Sequence, residues 1–103
     1  MEIQDFLKKR LVKAQWAHVE TTLSGLSQNC LIFEKNTCFM LIETGYIHVN
    51  ESEKIKQRNR DRIKILSKQN ADRFNFKHFN HKKIYYGYVT NETMPRIKCL
   101  YKL

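Results

Sequence analysis

The sequence predicts an α+β domain: an N-terminal helix packed on an antiparallel sheet, a second, basic helix or β-ribbon in the middle, and a C-terminal β-hairpin. Three observations carry that expectation. Apolar residues recur at helical spacing near the start, apolar runs of strand length follow, and the most β-prone stretch lies near the end. The 103 residues are enough for one core and not for two, so 1–103 reads as a single domain.

The first helix is expected over residues 2 to about 23. Ile3, Phe6, Leu7, Leu11 and Ala14 form its apolar stripe, and Glu2 and Asp5 sit in the first turn, where acids suit the helix dipole. Ser24-Gly25 is the expected stop. The runs 30–34 and 38–43 read as strands joined by a turn at Lys35-Asn36-Thr37. Both runs are apolar on both faces, which predicts one face against the first helix and the other under a later element. Residues 46–50 alternate and predict a third strand.

The middle of the chain admits two readings. Lys54, Lys56, Arg58, Arg60, Arg62 and Lys64 occupy every second position. In a strand all six would line one face, and in a helix they would spread around the cylinder. The period favours a ribbon. The composition, with Ser52 as N-cap and Ile55, Ile63 and Leu66 as a narrow stripe, favours a helix over 52–69. Beyond Asn70, the alternation of Phe74 and Phe76 with polar residues predicts a strand. Residues 84–89 give the strongest strand signal, rich in Tyr and Val, and 91–95 a turn. The alternating run 96–101 closes the hairpin, and its exposed edge offers a route to a homodimer.

Function is read first from where the charge sits. Between Lys54 and Lys83 the bases are Lys54, Lys56, Arg58, Arg60, Arg62, Lys64, Lys68, Arg73, Lys77, Lys82 and Lys83, and the acids are Asp61 and Asp72. That net of +9 equals the formal charge of the whole chain, so the remainder is neutral. A basic strip on a neutral body attracts a polyanion. The rings of Phe76, Phe79 and Tyr86 lie within or beside the strip and are candidates for stacking on exposed bases. Ten of the bases form the expected contact set: Lys54, Lys56, Arg58, Arg60, Arg62, Lys64, Arg73, Lys77, Lys82 and Lys83.

Chemistry is less legible. His78 and His81 with Cys30, Cys38 and Cys99 lack the paired spacing of a zinc site, and the cysteines fall inside apolar runs. His78, His81, Lys82, Lys83, Arg73 and Tyr86, with His48, hold the residue types of a metal-independent ribonuclease, as any basic surface does. Glu51-x-Glu53-Lys54 is a fragment of a metal-nuclease pattern without convergent carboxylates. The sequence therefore predicts no catalytic residue, metal or cofactor. No run is long enough to span a bilayer, and no apolar secretion signal opens the chain. An odd number of cysteines suits a reducing cytoplasm.

The expectation is a small cytoplasmic protein that binds nucleic acid, RNA or single-stranded DNA in preference to duplex, without catalysis. A second reading is a small virus- or mobile-element-encoded protein that binds and inhibits a nucleic-acid-processing enzyme or nucleoprotein complex. A third is a toxin-like ribonuclease.

Overall fold

The computed structural model describes residues 2–20, 26–78 and 83–100, the side chains of 77, 78 and 93 excepted. Its elements are α1 (Ile3–Lys13), β1 (Ala17–Val19), β2 (Cys30–Lys35), β3 (Cys38–Gly45), α2 (Glu53–His78), β4 (Lys83–Thr90) and β5 (Thr93–Leu100). The fold is α+β, with a five-stranded sheet in the order β1-β2-β3-β4-β5. The sheet is mixed: β3 and β4 are parallel, from Cys38 beside Lys83 to Gly45 beside Thr90, and every other pair is antiparallel. A parallel pair needs a crossover, and α2 is that crossover.

The strands are apolar on both faces because both faces are covered. Leu31, Phe33, Met40, Ile42 and Val89 pack with Ile3 and Leu7 of α1. On the opposite face Ile32, Leu41 and Ile84 pack with Ala71 and Phe74 of α2. The element expected to cover the second face is thus the basic segment itself.

That segment is a helix and not a ribbon. Ser52 Oγ accepts the Ile55 N–H at 3.3 Å as an N-cap. Gln57 with Asp61 and Lys68 with Asp72 make i,i+4 contacts. Ile63, Ser67, Asn70, Ala71 and Phe74 recur at helical spacing and are all buried. The same stripe explains why the stretch from Asn70 to His78 continues the helix and is not a strand. Phe74 is 3% exposed and Phe76 82%, which is helical geometry mimicking alternation.

Two more expectations give way. The first helix ends at Lys13. Gln15 takes a left-handed φ of 69°, Trp16 N–H bonds Leu11 O at 2.9 Å and Gln15 N–H bonds Val12 O at 2.9 Å. This is a Schellman stop built without glycine, and it frees residues 17–19 to form β1. Ser24-Gly25 lies outside the described residues. Residues 46–50 form a loop whose pairing partner is a side chain: Asn91 Oδ1 accepts from Ile47 N–H at 2.9 Å, and Asn91 Nδ2 donates to Ile47 O at 3.1 Å. Ile47 is held inward against Ile63 and Tyr88, which accounts for the alternation.

Candidate nucleic-acid interface

In a helix, bases spaced two apart cannot share a face. Lys56 and Arg60 turn toward the sheet side. Lys56 lies 3.4 Å from Glu53. Arg60 grips Glu92 in the β4–β5 turn with two bonds, Nε at 3.0 Å and a terminal nitrogen at 3.2 Å. This grip holds the Glu92 carboxyl below its ordinary range and raises the Arg60 guanidinium. Arg60 therefore clamps the hairpin to α2. Lys54 and Arg58 are exposed, and Arg62 lies on the flank facing the 46–51 loop. Arg73 and Lys83 are exposed and each has a partner within the chain. The Lys77 side chain, Phe79, His81 and Lys82 lie outside the described residues, as does the His78 side chain.

The flank of α2 that faces β5 gathers charge. Lys64 and Lys68 form one wall of a groove of about 420 Å³, Arg96 and Lys98 of β5 the other, and Tyr86, Gly87 and Tyr88 of β4 the floor. The register explains the gathering. Tyr86 pairs with Lys98 and Tyr88 with Arg96, so the two β5 cations point to the α2 face beside the two rings. Gly87 permits the approach of β5, because a Cβ there would collide with the Arg96 carbonyl oxygen. Ser67 Oγ donates to the Gly87 carbonyl at 2.5 Å and fixes α2 over the floor.

Lys68 is paired with Asp72 at 2.8 Å, which raises its pKa. Lys64, Arg96 and Lys98 have no carboxylate within salt-bridge distance among the described residues. Of the ten bases expected at the interface, Lys64 is the only one among the described residues that stands in this groove. Lys68 belongs to the basic strip but not to those ten, and Arg96 and Lys98 lie outside the strip. Of the candidate rings, Tyr86 stands in the floor of this groove and Phe79 lies outside the described residues. The Lys64 ammonium stands 6.0 Å from the Tyr88 ring centre and the Lys68 ammonium 5.9 Å from that of Tyr86, so each ring has a cation over its face. Phe76 is exposed on another side of α2.

The second polar cleft, about 330 Å³, lies between the 46–51 loop and α2 and includes Glu43, His48, Glu51, Asn59 and Arg62. Its carboxylates are used internally. Glu43 accepts from Ser27 Oγ at 2.7 Å and Asn70 Nδ2 at 2.9 Å, and Glu51 accepts from Asn59 Nδ2 at 3.0 Å. Burial raises the Glu43 pKa despite those hydrogen bonds. Burial, then the Glu43 charge, pushes the Cys30 thiol up to about 12. No group of three His, Cys, Asp or Glu side chains could hold a metal among the described residues. No helix among them is long and apolar enough to cross a membrane.

No protein family, no curated protein and no solved structure matches the chain.

Proposed function

We propose that this protein binds nucleic acid, without catalysing a reaction on it, at the groove between α2 and the β4–β5 hairpin. One observation supports the reading above all: four cations from two elements distant in sequence line one groove, with a single carboxylate among the described residues, Asp72, bonded to any of them. Like charges held together repel, and a bound polyanion relieves that repulsion. The argument rests on charge: of the rings that favoured single strands, Tyr86 has the Lys68 ammonium over its face and Phe76 is exposed on α2 away from the groove. The three cysteines are free, which suits action in a reducing cytoplasm.

The test is titration of labelled single-stranded RNA, single-stranded DNA and duplex DNA at several salt concentrations. Affinity is expected to fall steeply with salt, by release of condensed counterions. No binding at low salt, or a flat dependence, overturns the proposal. A nuclease-resistant complex with an acidic protein would then favour the inhibitor reading.

A further inference from the structure

The groove's cations are not scattered. Lys64 and Arg96 flank Tyr88, and Lys68 and Lys98 flank Tyr86. They form two rungs, each with one helix cation and one strand cation. Along α2 the rungs are four residues apart, about 6 Å at the helical rise. Along β5 they are two residues apart, about 6.6 Å at the strand rise. A helix and a strand thus arrive at the same step from different periods. That step has the length of one nucleotide of a sugar–phosphate backbone.

We propose that the two rungs hold two consecutive phosphates of a single nucleic-acid strand, one phosphate per rung, with the bases turned out of the groove. This rests on the nucleic-acid reading above and makes it specific: the ligand recognised is backbone, and base identity is not read. The floor supports the assignment. Each tyrosine already carries an ammonium over its face, so a base does not stack there without displacing it. Tyr88 is also buried. Phosphate contacts fix position and carry no sequence information. Lys68 is held by Asp72 across an exposed pair, 51% and 54% accessible, and such pairs are weak enough to exchange for a phosphate.

The experiment uses the full chain and three ligands of equal length: an oligothymidylate, a mixed-sequence DNA strand and an abasic strand with the same number of phosphates. All three are expected to bind within about threefold of one another, as contacts to backbone alone require. Replacing one rung, Lys64→Gln with Arg96→Gln, is expected to reduce the slope of log affinity against log salt by about 0.7, the share of one phosphate on a single strand. Lys68→Gln with Lys98→Gln is expected to do the same. Asp72→Asn frees Lys68 and is expected to tighten binding severalfold, a gain that misfolding cannot imitate.

A tenfold or greater loss on the abasic strand would mean that bases are held, and overturns the backbone assignment. So would unchanged slopes in both rung variants with no gain from Asp72→Asn, while nucleic-acid binding itself stands at another surface. Failure of the parent protein to bind any strand at low salt overturns both the assignment and the function it rests on.

Discussion

Glu43 shows what a single residue can cost. The residue is 2% exposed, its carboxylate bonded by a hydroxyl and an amide, with no cation within salt-bridge distance among the described residues. Burial penalises the charged form more than two neutral donors reward it, so the folded protein holds the Glu43 proton more tightly than the unfolded chain does. Stability from this group is full below the ordinary carboxylate range and is lost as pH rises through the raised folded value. Glu43→Gln keeps the shape and can bond both Ser27 and Asn70. The variant is expected to melt at or above the parent's temperature at neutral pH, and to lose that part of the parent's pH dependence. A variant melting well below the parent at pH 7 would show that the negative charge itself is needed.

Among the elements, α1 carries a correctable flaw. Its C-terminal stop puts Gln15 at φ 69°, a conformation that disfavours any side chain with a Cβ. Glycine is relieved of that strain but loses more entropy on folding. Gln15→Gly is therefore expected to stabilise by a net of about 0.5–1 kcal/mol, read as a raised denaturant midpoint with unchanged slope. A lowered midpoint would mean that the Gln15 side chain contributes more than its backbone costs. The absent glycine is also why the end of α1 was illegible in the sequence, which keeps apolar residues near helical spacing beyond it.

Other elements were legible where local chemistry decided them. The β2–β3 turn has Asn36, a residue that tolerates its φ of 51°, and the β4–β5 strands follow β propensity. What depended on long-range partners was hidden. The loop at 46–50 has the alternation of a strand because Asn91, far along the chain, supplies its pairing. The proposed interface was half visible. Charge density pointed to α2, but which bases face outward depended on the helix, and Arg96 and Lys98 joined them only through the register with Tyr88 and Tyr86.

At the scale of the whole molecule, the sheet divides into β1–β2–β3 and the β4–β5 hairpin. Within each part, β2 with β3 and β4 with β5 are joined by tight turns. The parts meet along β3 and β4, where Cys38 lies beside Lys83 and the chain between them must first close a long loop. Local pairings reward early ordering, and this one does not. The parallel seam is therefore expected to form last, and α2, both crossover and groove wall, is the strap that carries one half to the other. In pulse-labelled hydrogen exchange, amides of β3 that bond to β2 should gain protection before those of β3 and β4 that bond each other. Simultaneous protection across β3 would contradict that order. Since α2 links the halves while its groove lies over the second, a strand bound as proposed would touch the hairpin and the strap together. A ligand bound there as proposed would stabilise the folded state by mass action, so the melting temperature is expected to rise with ligand concentration.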